Sequence, residues 1–312
     1  MTVSAAAPFR PRFPWWGGDL QTLRNTLRPD APDPGPFTRL WLPLPDGDAL
    51  ACAWHEAPGP PVVLVHGLTG SEDSQHTRRS AAFFLARGHA VARLNLRGAG
   101  PSRERSRRSY HAGAGADIAH ALAGLPRPPR YAVAVSLGGT QLFHALAHPA
   151  MPPLAAAASV CAPVDLLATS LRMMAWRNGI YHRVILRGMQ REATALAAHL
   201  PPERLAAAQR ADSVFAFDDV YVAPLNGFAG AEDYYARCSL APVIGGIATP
   251  TLCLTAKDDP WVPEATYTAV RWTEAVRPLV APGGGHVGFH DARTDGTWAD
   301  RAVAEFFSRH PA

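Results

Sequence analysis

The feature that most narrows what this chain can fold into is a short apolar run that stops at a serine. Tyr131-Ala-Val-Ala-Val has the character of a buried strand, and Ser136-Leu-Gly-Gly follows at once and opens a helix-forming stretch. A strand that feeds a helix through so tight a turn pushes the serine hydroxyl beyond the sheet edge, and small neighbours let the backbones cross closely. Gly138 and Gly139 supply that room on one side. Ala134 stands where such elbows usually have their first glycine, a departure of one methyl. Taken alone, the string also fits an ordinary helix-start serine after a strand.

Its meaning depends on partners. A serine hydroxyl is a poor nucleophile until a histidine takes its proton, and that histidine must be oriented by a third group. Downstream, Thr251-Leu-Cys-Leu-Thr-Ala reads as a strand ending in Lys257-Asp258-Asp259-Pro260, and Arg277-Pro-Leu-Val-Ala-Pro as another ending in Gly283-Gly-Gly-His286. A helix over roughly 264–275 separates them. Polar groups at the C-terminal ends of parallel strands lie where open α/β sheets bind ligands, and serine, acid, histidine is the order required of a triad built on such an elbow. Asp259 is the expected acid because it immediately precedes the Pro-x-Val-Pro segment that leads the chain away. Asp258 is the alternative, and one of the two serves as a turn or helix-start residue.

An oxyanion site needs two backbone N–H groups, one after the nucleophile and one from an earlier strand's loop. Leu137 supplies the first. Leu68 is the candidate for the second, in His66-Gly67-Leu68-Thr-Gly after the strand Pro61-Val-Val-Leu-Val. His66 is read as a loop histidine bonded to backbone, with Gly67 allowing the turn, and not as a second base. His286 and His290 stand four apart, but Val-Gly-Phe between them brings no carboxylate and no helix, so no metal is expected.

Strands alternating with helices argue an α/β fold with a mostly parallel, eight-stranded sheet covered on both faces. Its antiparallel element would be an N-terminal hairpin, Arg39-Leu-Trp-Leu and Leu50-Ala-Cys-Ala-Trp around Pro45-Asp-Gly-Asp. The rhythm stops over 165–240, where only helices are expected. That segment is read as a cap inserted into one domain spanning residues 1–312, with Met173, Met174, Trp176 and Tyr181 as candidate pocket residues.

Together these strings resemble the α/β-hydrolases of the YheT-like branch, which includes abhydrolase-domain lipases and medium-chain alcohol acyltransferases. The matching segments span nearly the whole chain: Phe13-Pro-Trp-Trp-Gly-Gly-Asp-Leu-Gln-Thr-Leu, His66-Gly-Leu-Thr-Gly-Ser, Asn95-Leu-Arg-Gly, Tyr110-His-Ala-Gly, Ser136-Leu-Gly-Gly, Tyr234-Tyr235, Asp258-Asp-Pro and Gly284-Gly-His-Val-Gly-Phe. Asp19, Ala134 and Thr140 depart from the branch's usual histidine, glycine and asparagine. The resemblance implies a serine hydrolase of carboxylic esters, with transfer of the acyl group to an alcohol as the alternative and a non-catalytic binding protein as the remote one.

Composition sets the remaining bounds. With 47% apolar residues in 312, the chain can bury a large core. No apolar run is long enough to span a membrane and no leader pattern opens the chain, so a cytoplasmic protein is expected. The net charge of +4 is arginine-borne, Lys257 being the only lysine, and Arg103-Glu-Arg-Ser-Arg-Arg reads as a solvated face, not a nucleic-acid footprint. Four scattered cysteines suggest neither disulfides nor zinc. No cofactor is expected, and the partner is a small-molecule or lipid ester.

Overall fold

The computed structural model describes residues 8–293 and 295–312. Their order is α1 (Gly18–Leu27), β1 (Thr38–Pro43), β2 (Ala49–His55), β3 (Gly59–Val65), α2 (Gln75–Leu85), β4 (His89–Leu94), α3 (Gly115–Ala123), β5 (Tyr131–Val135), α4 (Leu137–Leu146) and β6 (Ala156–Val160). A helical stretch follows: α5 (Leu166–Met174), α6 (Gly179–Ala195), α7 (Pro202–Arg210), α8 (Val214–Phe217), a π turn (Asp218–Val222), α9 (Ala223–Leu225) and α10 (Ala231–Cys238). Then β7 (Thr251–Ala256), α11 (Glu264–Ala269), β8 (Val276–Ala281) and α12 (Trp298–Ser308) complete the chain.

The eight strands form one sheet in the order β1-β2-β4-β3-β5-β6-β7-β8. β2 pairs antiparallel with both β1 and β4, and every other pairing is parallel, so β2 alone runs against the rest. The expected hairpin is therefore β1 and β2. Strands β5, β6 and β7 are buried at every position, as a sheet covered on both faces requires. One face packs under α3, α4 and the helical stretch, and the other under α2 and α12, where Tyr131 stacks on Phe307 at 4.4 Å between ring centroids. β8 tolerates Pro278 because it closes the sheet at its edge, where a missing N–H leaves no ladder bond unmade.

Strand β6, Ala-Ala-Ala-Ser-Val, has weak intrinsic preference for extended structure. Close packing explains it: a Cβ on Gly139 of α4 would come within 2.4 Å of Ser159 Oγ and 2.9 Å of Ala162 Cβ. Only small residues on β6 let the helix that follows the serine settle this deep. The helix expected over 264–275 is shorter, because α11 ends at Ala269 and Trp272 turns back to donate its indole N–H to Tyr267 O at 2.9 Å.

Candidate active site

Ser136 joins β5 to α4 with φ 51° and ψ −130°, a left-handed conformation for a residue with a side chain. Such a backbone costs on the order of 1–3 kcal/mol and persists only where its surroundings fix it. Here the Ser136 N–H donates to Val160 O at 2.8 Å, and its carbonyl accepts from Gly139 N at 2.8 Å. A Cβ on Gly138 would meet His66 O at 2.1 Å, so this glycine is required by the approach of the neighbouring loop. Gly67 serves the same crossing from the other side: its Cβ would lie 2.9 Å from that of Ser136. It also opens the turn expected there, its carbonyl accepting Gly70 N–H at 3.1 Å. Ala134 is wholly buried inside β5, where its methyl is part of the core.

The Ser136 hydroxyl lies 2.9 Å from His286 Nε2, and His286 Nδ1 lies 2.9 Å from Asp259 Oδ2. The second carboxylate oxygen, Oδ1, accepts the N–H groups of Trp261 and Val262 at 2.8 and 3.0 Å, which locks the carboxylate plane. Asp258 turns elsewhere: its Oδ1 accepts Gly285 N–H at 2.9 Å and so holds the loop that carries the histidine. Trp261 lies over the imidazole at 4.3 Å between centroids. A histidine so placed can take the serine proton, and a carboxylate on its far nitrogen favours the charged ring.

The loop after β3 is braced from several directions. Burial lowers the His66 pKa to about 4. The neutral ring has both nitrogens engaged, Nδ1–H donating to Gly67 O at 2.8 Å and Nε2 accepting from Leu96 N at 3.0 Å. Glu72 and Asn95 exchange two hydrogen bonds, and Arg39 closes an ion pair on Glu72. The Thr69 N–H, one residue beyond Leu68, donates to Tyr110 Oη at 2.7 Å, and Tyr110 donates in turn to Glu192 of α6 at 3.0 Å. Burial raises the Glu192 pKa to about 7.

Residues of α1, whose role the sequence did not disclose, hold the histidine loop from behind. Thr22 Oγ1 accepts His286 N–H at 2.8 Å, Gln21 bonds both the N–H and the carbonyl of His290, and Asn25 reaches Val287 O. A Cβ on Gly18 would strike Asp258 O at 1.8 Å, which accounts for the glycine before this helix's polar stripe. His290 Nε2 faces Asn25 Oδ1 at 3.1 Å. Among the described residues, Cys161, Asp259 and His286 form the one group whose ligand atoms could meet on a metal ion. Burial raises the Cys161 thiol well above its ordinary range, so this sulfur stays protonated and is a poor ligand.

A cavity of about 510 Å³ opens over Ser136 and His286, walled on one side by Leu68 and α1 and on the other by α5, α6 and the π turn. On α5, Leu166, Thr169, Ser170 and Met173 face it at helical spacing. Met173 and Tyr181 therefore line the cavity. Met174 and Trp176 do not: Met174 is one residue off the inward stripe, and Trp176 stands on the 3₁₀ turn before α6 with its side chain 94% exposed. At the inner end Asp218 faces the cavity, 2.7 Å from Tyr235 Oη, and burial raises its pKa to about 7.

These features define a class. The chain belongs to the family described as alpha/beta hydrolase fold, which matches residues 60–292, from β3 through the histidine loop. Within it the chain belongs to the YheT-like branch. It is 35% identical over 272 residues to YheT of Escherichia coli strain K12, which bears an esterase designation; the match covers 81% of this chain and 79% of that protein. It is 31% identical over 281 residues to medium-chain fatty acid ethyl ester synthase/esterase 2 of Saccharomyces cerevisiae, covering 80% of this chain but only 62% of the yeast protein. Among solved structures, an esterase of Pyrococcus furiosus superposes with a TM-score of 0.59 at 15% identity, over 88% of this chain and 93% of that one, a likeness of fold.

Proposed function

We propose that this chain hydrolyses carboxylic esters of short to medium acyl chains by two-step acyl transfer. The observation that supports this most is the unbroken chain of hydrogen bonds from Asp259 through His286 to Ser136 at the floor of the cavity. In this reading Ser136 attacks the ester carbonyl as His286 accepts its proton, and Asp259 holds the imidazole and balances its charge. The backbone N–H groups of Leu137 and Leu68 receive the developing oxyanion; losing one such donor typically lowers turnover on the order of a hundredfold or more. The protonated histidine then gives its proton to the departing alkoxide, and water releases the acyl group by the same steps in reverse. Helices α5 to α10 act as the cap, and Met173 and Tyr181 contact the acyl or alcohol portion.

The yeast relative's designation as both synthase and esterase favours a second reading, in which an alcohol resolves the acyl-enzyme. Both share one test. Hydrolysis of p-nitrophenyl esters from acetate to palmitate is measured for the parent and for Ser136→Ala, with fluorophosphonate labelling alongside and ethanol added in a parallel series. Loss of turnover and labelling together in the variant supports the serine mechanism, and an ethyl ester product assigns transfer. A variant that hydrolyses at the parent rate overturns both.

A further inference from the structure

Large apolar side chains left in solvent are gathered in one place. Among the described residues they are Phe13, Trp16, Leu20 and Leu27 at and before α1, then Leu167, Leu171, Trp176, Ile180 and Val184 from α5 to α6, with Phe37 alone outside these two stretches. Phe13, Trp176 and Ile180 are 72%, 94% and 78% exposed. Isolated exposed leucines need no explanation, but a cluster of this kind marks a surface that meets something. The stretches adjoin: Asp19 of α1 pairs with Arg177 at 3.1 Å and with the Tyr181 hydroxyl at 3.1 Å. Between them lies the mouth of the cavity, since Leu23 and Thr26 of α1 and Ile180 and Val184 of α6 are all in its wall.

The uncompensated charge along α6 on this face is positive. Arg183 and Arg187 follow Ile180 and Val184 at three-residue spacing along α6, are exposed, and have no acidic partner among the described residues. The acid of α6, Glu192, is engaged with Tyr110, and the acid of α1, Asp19, is taken up by Arg177 and Tyr181. An apolar lip with a tryptophan and unneutralised arginines suits the boundary of a lipid layer, where the indole sits among headgroups and arginine meets phosphate. A second copy docked about a two-fold axis would bring a second set of these arginines into the same interface.

We propose that the α1–α6 face docks on an anionic lipid surface and so brings the cavity mouth to esters held in that surface. The use made of docking rests on the ester-hydrolase reading, whereas the docking itself does not. The test is co-sedimentation of the full chain, carrying Ser136→Ala so that lipid stays intact, with phosphatidylcholine vesicles with and without phosphatidylglycerol. The expected result is binding that needs phosphatidylglycerol and weakens with salt. Arg183→Glu with Arg187→Glu should reduce it at least tenfold, since each basic residue near such a surface contributes about 1 kcal/mol, roughly a fivefold change. Leu171→Ser with Trp176→Ser should reduce it similarly. Both pairs, in an otherwise parental chain, should hydrolyse dissolved p-nitrophenyl butyrate within about twofold of the parent rate.

Absence of binding to either vesicle, or binding that neither pair weakens, overturns the proposal. A dimer in sedimentation velocity that Leu171→Ser with Trp176→Ser dissolves also overturns it, and assigns the face to self-association. Failure of the parent to cleave the dissolved ester counts against the hydrolase reading alone, because vesicle binding is read without turnover.

Discussion

The cavity has two walls built on different terms. The wall at the sheet edge holds Ser136, His286 and Asp259 at strand ends, and the groups that position them are bonded: Asp259 accepts from Trp261 and Val262, the His286 backbone N–H is held by Thr22, and His66 spends both ring nitrogens on backbone. The opposite wall, from α5 through the π turn, keeps carboxyl groups in surroundings that disfavour their charge. Asp218 and Glu192 are both raised to about 7 by burial, Glu192 with a single tyrosine and a distant arginine to offset it. The contrast teaches where precision is needed. Proton transfer tolerates little displacement of the reacting atoms, whereas a wall that meets the rest of the substrate can vary its polarity at modest cost.

The contrast can be broken most sharply at the sheet edge. Ser136→Ala should lower kcat/KM by at least about four orders of magnitude, with the thermal midpoint near the parent's, as read by ester kinetics and calorimetry on one preparation. Gly138→Ala should be costly in both respects, because its methyl would meet His66 O at 2.1 Å and drive the loop from the serine. We expect a loss of activity of about a hundredfold together with about 2 kcal/mol of stability; a variant with parent kinetics would show that the crossing is looser than described. Tyr110→Phe probes the link between the walls. It removes the acceptor of Thr69 N–H, and kcat should fall about tenfold with KM nearly unchanged, as expected when an oxyanion donor is displaced and substrate binding is not.

The smallest effect on turnover, within about threefold, is expected from Asp218→Asn, whose readout is stability against pH. Asp218 binds its proton more tightly in the folded chain, to about 7, than in the unfolded chain, where the reference is 3.8. Between these values the folded state holds the proton and the unfolded state does not, so stability declines as pH rises from about 4 to 7 and levels off above. Asparagine can still accept from Tyr235 and removes this decline, a gain on the order of a few kcal/mol above pH 7. Chemical denaturation at pH 5 and pH 8 reads the difference. An equal slope in parent and variant would mean that Asp218 reaches water.

What the sequence disclosed follows the same division. Strand ends were legible because an apolar β-type run that stops at a polar residue leaves few alternatives, and this was enough to choose Ser136, Asp259 and His286, which lie in hydrogen-bond reach of one another. The choice between Asp258 and Asp259 turned on one residue, and both prove to be engaged, one with the histidine ring and one with its loop. The helical wall was legible only as helices. Which side faces inward depends on where each helix begins, and a 3₁₀ turn at Trp176–Asn178 reset that phase, so Trp176 points outward while Met173 points in. Gln21 and Thr22 lie in a segment that marks the family resemblance, but their roles could not be read from it, since their partners lie more than 260 positions away.

That last distance bears on how the molecule comes into being. In synthesis Ser136 is made before His286, and the loop of His286 is clasped by Gln21, Thr22 and Asn25 of α1, so the finished site joins a segment made early to one made late. The geometry of the triad therefore depends on contacts that close late, once α1 and the His286 loop have met.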